Sequence, residues 1–185
     1  DGTPYTVFTP YSKKWFEKFY CEKLPQYQIK NLVDNFFKTN YEPIVSLREI
    51  GFSNDKIEFE KFNLGDELIK NYTSKRDFPY LNSTSKIGPY LRFGLISVRE
   101  VAKKTIGKKF DQSFLRQLIW RDFYIQIFFH FPDSENENFK PAYDKIIWLN
   151  EEEKFEKWCA GETGYPIVDA GMKELNATGF MHNRV

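Results

Sequence analysis

Between residues 111 and 131 the chain reads DQSFLRQLIWRDFYIQIFFHF, and no other stretch constrains the fold as much. Phe114, Leu115, Leu118, Ile119, Phe123, Ile127 and His130 recur at helical spacing, and Asp111 is placed to cap the start. A helix of this length crosses a whole domain. Gln117, Arg121 and Gln126 interrupt its apolar coat. A long cation beside Trp120 in a nearly all-apolar helix needs a partner once it is buried. Either Arg121 meets a structural carboxylate in the core, or the helix carries a site.

A length of 185 residues suits one domain with a lead-in segment. The chain begins at Asp1 rather than at a methionine and stops at Val185, directly after MHNR, so it is expected to be an internal piece of a longer protein. Its most apolar run, YIQIFFHF, is too short and too interrupted for a membrane span. The net charge of +1 gives no global basic signature, so any nucleic-acid contact must come from a local patch. Cys21 and Cys159 are far apart and lack metal-like spacing, which fits a reducing cytoplasm rather than secretion. The N-x-T sequences at Asn71, Asn82 and Asn176 are then coincidental. The unusual number is the aromatic content of 18%, which suits a heavy core or stacking on flat ligands.

Along the chain, Tyr5, Val7 and Phe8 predict a short strand ended by Pro10 and belonging to a sheet upstream. Ser12 can cap a helix through Tyr20, with Trp15, Phe16 and Phe19 on one side. From Cys21 to Gly65 the turn signals Leu24-Pro25, Glu42-Pro43, Gly51 and Ser53-Asn54-Asp55 predict a long linker with one or two short helices, docked by its aromatics. Everything from Asp66 onward reads as helical. A helix runs from Asp66 to about Tyr72, a polar loop runs through Lys86, and Ser97 to Glu100 form a capping box. Pro132 and DSENENF make an exposed loop; Glu151 to Glu153 open a helix closed by Gly161, and Pro166 opens another ending near Gly179. The class is all-α and multi-helical.

The loop YLNSTSKIGPYLRFG groups Thr84, Ser85 and Lys86 just before Gly88, a combination that can cradle a phosphate or serve as no more than a cap and turn. Neither GxGxxG nor GxxxxGK[ST] occurs. More specific is the last segment, WCAGETGYPIVDAGM followed by LNATGFMHNR. Together with TSKIGPYLRFGLIS and LIWRDFY, it resembles the flavin-binding helical domain of the DNA photolyase and cryptochrome family, most of all the class I cyclobutane-dimer branch. In that resemblance residues 1–10 correspond to the last strand of an α/β antenna domain, 11–65 to the interdomain connector, and 66–185 to the first half of the FAD domain.

The resemblance implies FAD as cofactor, with a second antenna chromophore of folate or deazaflavin type in a missing N-terminal domain. It assigns Tyr72, Thr84, Ser85, Lys86, Ile87 and Gly88 to the FAD phosphates and ribityl chain, Phe114 to an aromatic flavin position, and Arg121 to a buried arginine near the cofactor. Lys86 and Gly88 stand where the family more often has Arg and Ser, and Lys lacks the bidentate fork of Arg. Gln117 and Trp120 would meet a flipped-out lesion, Asn183 and Arg184 the DNA around it, and Arg76 a phosphate. Trp148 matches the surface member of a tryptophan electron-transfer chain. No metal is implied.

The implied activity is light-driven repair of cyclobutane pyrimidine dimers in UV-damaged DNA, by a monomer working without a membrane; the 185-residue chain alone is expected to be inactive. Gln117, where cyclobutane-dimer enzymes usually carry Glu, tilts toward a cryptochrome photoreceptor or a six-four photolyase. Asn183-Arg184 tilts back toward dimer repair. A flavin-free interaction module is the third reading.

Overall fold

The computed structural model describes residues 2–22, 30–38, 43–53, 60–106 and 112–185. The Asp111 cap and the turn signals at Leu24-Pro25, Glu42 and Asn54-Asp55 lie outside the described residues. Among those described, seven α-helices appear and no strand: α1 Phe8–Cys21, α2 Asp66–Lys75, α3 Gly88–Arg92, α4 Val98–Thr105, α5 Ser113–His130, α6 Glu152–Ala160 and α7 Pro166–Thr178.

Helix α5 is the axis. Its Phe114, Leu115, Leu118, Ile119 and Phe123 are buried, with Ile119 wholly so. Phe114, Leu115 and Leu118 form one core with Leu64, Ile69 of α2, Ile87, Leu91 of α3, and Val101 and Ala102 of α4. Each such side chain contributes about 1.5 to 3 kcal/mol on burial, so this cluster is the main source of cohesion.

Helix α1 lies along α5, with Trp15, Phe16 and Phe19 packed on the same core. The polar residues of α5 hold it there. The Tyr11 hydroxyl and the Trp15 indole N–H both donate to Asp122 Oδ2, at 2.8 and 3.0 Å. Gln126 Nε2 donates to the Tyr5 carbonyl at 2.7 Å, and Gln112 Nε2 to the Tyr20 hydroxyl at 3.0 Å. Burial, then the Asp122 bond, pushes the Tyr11 phenol well above its ordinary range.

Several local expectations need correction. The strand predicted at Tyr5 to Phe8 is not formed: the chain enters α1 at Phe8, and Pro10 sits in the first helical turn, where its missing N–H is not needed. Without a neighbouring strand the extended form satisfies none of its backbone groups. Ser12 is therefore no cap. It is buried inside α1 and donates to the Thr9 carbonyl at 3.1 Å. Ser97 does occupy the N-cap position of α4, but its side chain makes no capping bond, so the box is not closed. In the linker, docking by aromatics holds for Phe62, whereas Phe36, Phe37, Ile44 and Phe52 are exposed. There Ser46 and Glu49 close a turn of their own, the Ser46 N–H and hydroxyl donating to Glu49 Oε2 at 2.6 and 2.8 Å.

The C-terminal helices follow their punctuation. Gly161 and Gly179 end α6 and α7 in the left-handed region, at φ 70° and 71°. Gly171 on the inner face of α7 has the side chain of Val185 so close that a Cβ would overlap it. The tail after α7 is thus seated on that helix.

Because two donors share one carboxylate, Asp122→Ala should destabilise the chain by about 1 to 3 kcal/mol in urea denaturation. Combining it with Tyr11→Phe should cost less than the sum of the two changes, since both remove the same bond. Additive losses would show that Asp122 does not anchor α1 through Tyr11.

Candidate functional site

Arg76, the C-cap of α2, follows Tyr72 by one helical turn, with its guanidinium carbon 5.6 Å from the Tyr72 ring centre. Behind Tyr72 stands Phe114, edge-on at 5.2 Å and buried. Burial raises the Tyr72 phenol pKa, against the lowering effect of Arg76.

The loop from Asn82 to Ile87 folds across the end of α2. Ser83 donates its hydroxyl to the Lys75 carbonyl at 2.9 Å, and the Asn63 N–H donates to the Ser85 carbonyl at 2.9 Å. Ser85 and Ile87 are buried. Lys86 sits at φ 50°, a conformation uncommon for a side-chain-bearing residue. This turn aims its ammonium at Glu60, 2.7 Å away, and over the Phe180 ring at 5.1 Å.

The C-terminal tail closes the third side. His182 is buried, with Nε2 2.9 Å from the Arg76 carbonyl, while Nδ1 accepts the Arg184 N–H at 3.2 Å. The second contact needs a lone pair on Nδ1, so the proton sits on Nε2 and is donated to Arg76. Arg184 in turn gives two bonds to Asp77 Oδ1, from Nε at 2.9 Å and from Nη2. These bonds hold the Asp77 carboxyl below its usual range. Arg76 Nε lies 3.5 Å from the same oxygen, and among the described residues it is the buried side-chain nitrogen without a hydrogen-bond partner.

These elements enclose an open cavity of about 470 Å³. It gathers Tyr72, Arg76, Thr84, Ser85, Lys86, Ile87 and Gly88 together with Gln117, Trp120, Asn183 and Arg184. A Cβ on Gly88 would meet open space. Three expected residues are elsewhere. Phe114 buttresses Tyr72 from behind. Arg121 is exposed and outside the cavity: it sits one turn beyond Gln117 on the side of α5 that also exposes Tyr124, Ile125 and Phe128, so no partner for a buried charge is required. Trp148 is 69% exposed in the segment between the 3-10 turn Pro141–Lys145 and α6.

The cavity also contains Asp77, Phe180 and Met181, and Glu60 stands on Lys86. Sequence reading assigned no role to Asp77 or Glu60, although an acid directly after Arg76 was a visible signal. Trp120 has one indole face covered by Phe8, stacked at 3.5 Å and 2°. Among the described residues no group of three His, Cys, Asp or Glu converges as a metal site, and no helix is long and apolar enough to cross a membrane.

The long central helix, a hydroxyl-rich loop and a cationic tail thus share one cavity in a helical domain. Residues 114–185 match the family model described as the FAD binding domain of DNA photolyase. A deoxyribodipyrimidine photo-lyase of Halobacterium salinarum is 31% identical over all of this chain and 43% of its own length. Among solved structures, a class III photolyase from Agrobacterium tumefaciens superposes with a TM-score of 0.60 at 38% identity, covering 63% of this chain and 26% of that one. A Synechocystis cryptochrome gives 0.57 at 30% identity, covering 64% and 26%. The chain belongs to the DNA photolyase and cryptochrome family. It spans less than half the length of the curated relatives it matches.

The loop opening α7 has its own lock. Asp169 accepts the Thr163 hydroxyl at 2.6 Å, the Thr163 N–H at 2.8 Å and the Gly164 N–H at 3.0 Å. The hydroxyl bond leads in holding the carboxyl below its usual range. A depressed folded-state pKa means that the stabilisation is complete above the unfolded value and is lost as pH falls through the folded one. The Thr163 and Gly164 amide resonances should therefore stay fixed from neutral pH to about 5 and move below about 4. A midpoint above about 5 would rule out Asp169 as the acceptor that sets this loop.

Proposed function

We propose that the chain is the connector and the first half of the flavin domain in a longer photolyase that repairs cyclobutane pyrimidine dimers. The observation that carries this reading is the shared cavity: Tyr72 and Thr84 to Gly88 line it together with Gln117 and Trp120. The donor set fits a flavin dinucleotide. It combines the hydroxyls of Thr84 and Ser85 with the Lys86 ammonium, donors that a pyrophosphate accepts from. Arg121 is assigned to the same cofactor on the family resemblance alone. A second chromophore, of folate or deazaflavin type, would belong to a part of the protein outside this chain.

Reduced FAD, when bound, supplies the photoexcited electron that splits the dimer. The chain's residues position and shield. Thr84, Ser85 and Lys86 hold the anionic part of the cofactor, and Tyr72, braced by Phe114, walls the cavity. A phosphate reaching Lys86 competes with Glu60, whose carboxylate is half exposed and able to swing away. Gln117 faces the lesion. A thymine ring presents an N3–H donor and carbonyl acceptors, and the Gln117 amide can accept from the one and donate to the other. Its Nε2 rests 3.4 Å from the Ser113 carbonyl, a long bond that a pyrimidine carbonyl can replace. Trp120 keeps the indole surface that lines the cavity for the lesion, its other face being taken by Phe8. Asn183, Arg184 and Arg76 meet the flanking DNA.

The test is blue-light repair of a dimer-containing oligonucleotide by the full-length protein. Repair is expected; Gln117→Ala should weaken lesion binding or repair by about 1 to 3 kcal/mol, the cost of an unpaired polar group, and Gln117→Glu should keep it. Light-dependent flavin chemistry without repair would instead support the cryptochrome reading, which Gln117 and the Synechocystis relative favour.

Trp148, exposed on its loop, is proposed as the outer end of an electron-transfer chain. Trp148→Phe should slow photoreduction of the flavin by an external reductant while pre-reduced enzyme repairs at its usual rate. Equal photoreduction in both proteins would reduce Trp148 to a surface residue.

A further inference from the structure

Three cations, Lys86, Arg184 and Arg76, line the cavity where the proposed reading puts phosphates, and each already has a carboxylate within ion-pair distance. Lys86 is paired with Glu60, and Arg184 gives both of its inner N–H groups to Asp77. A guanidinium presents the same fork to a carboxylate as to a phosphate, so Asp77 stands where a nucleic-acid phosphate would stand.

We propose that Asp77 is a competing counter-ion: it holds Arg184 until a DNA phosphate displaces it, and thereby weakens the hold on the DNA backbone. The inference rests on the reading of Arg184 as a phosphate contact.

The geometry suits an exchange. Asp77 and Arg184 are each about half exposed, at 47% and 50%, so phosphate reaches the pair without unfolding. The backbone at Arg184 is fixed independently by the buried His182, which accepts its N–H and bonds the Arg76 carbonyl. Changing the guanidinium's partner therefore leaves the tail in place. Asp77 also follows Arg76 directly in the chain and lies 3.5 Å from its Nε. On release it remains beside a cation, which lowers the cost of giving up Arg184. With Asp77 in place the pair of arginines carries a net charge of one rather than two. DNA without a lesion offers phosphate alone in exchange, whereas damaged DNA adds the contacts of Gln117 and Trp120. The carboxylate subtracts the same amount from both affinities, so it leaves their ratio unchanged and sets how strongly the backbone alone is held.

The experiment measures binding of an undamaged duplex oligonucleotide by the 185-residue chain, with salt from about 50 to about 300 mM. Asp77→Asn should tighten binding about five- to tenfold near physiological salt and steepen the dependence of log K on log salt by about one. Arg184→Gln should weaken binding and flatten that slope, and the double variant should match Arg184→Gln. Asp77→Glu, which keeps the charge, should stay within twofold of the unaltered chain. If Arg184→Gln weakens binding and Asp77→Asn does not tighten it, the counter-ion proposal falls and the DNA reading stands. If neither Arg184→Gln nor salt alters binding, Arg184 is no phosphate contact and the underlying reading falls first. A measurement on the unaltered chain guards against a misfolded variant. The Arg184 Nε–H resonance, identified by its loss in Arg184→Gln, should shift on adding the oligonucleotide. An unmoved resonance at saturation would overturn the exchange.

Discussion

Burial of one side of α5 is the constraint on which the rest depends. Phe114, Leu115 and Leu118 are taken up by α2, α3 and α4, and α1 lies along the helix from Gln112 to Asp122. A helix turns 100° per residue, so fixing this face fixes every other position. Gln117 and Trp120 fall at the margin of the buried stripe, where they can be both rigid and accessible. That combination is what a binding wall requires, because rotamers held by packing lose little freedom on meeting a ligand.

The polar residues of α5 divide by the same geometry. Asp122 and Gln126, which interrupt the hydrophobic pattern, dock the lead-in segment through Tyr11, Trp15 and Tyr5. Arg121, one residue before Asp122, points elsewhere and keeps its charge in water. The opening alternative between a structural carboxylate and a site is thus resolved unevenly. The structural work belongs to a carboxylate of the helix itself, and the cavity is reached through Gln117 and Trp120.

Much of the site was legible because its residues sit in short, characteristic blocks. TSKIG, LIWRD and MHNR each have local spacing that survives any rearrangement of the chain, and the fold brings all three to one cavity. The helical class was equally legible, since α5 and α7 carry both the right period and the right terminal residues. Two kinds of information were not. The strand expected at Tyr5 to Phe8 depends on a partner elsewhere in space, and β-pattern residues beside Pro10 enter a helix when the aromatic surface of α5 is the available support. The counter-ions depend on side chains distant in sequence: Asp77 and Arg184 are 107 positions apart, and no local pattern predicts their contact. Motifs announce which groups a site has, and only packing tells which of them are already paired.

Trp120 joins these two lessons. Its indole lies parallel to the Phe8 ring on one face, edge-on to Phe123 and stacked at 25° with Tyr124, and it also lines the cavity. The same ring therefore anchors the start of α1 and walls the proposed lesion site. Loss of the ring would loosen the N-terminal segment and the cavity together, so impaired binding in a Trp120→Ala protein does not by itself assign Trp120 to the ligand. A change that keeps a flat ring, Trp120→Phe, separates the roles: it preserves much of the stack with Phe8 and shortens the wall. The constraint that makes the residue useful, a fixed orientation enforced from behind, is also what couples its function to the fold.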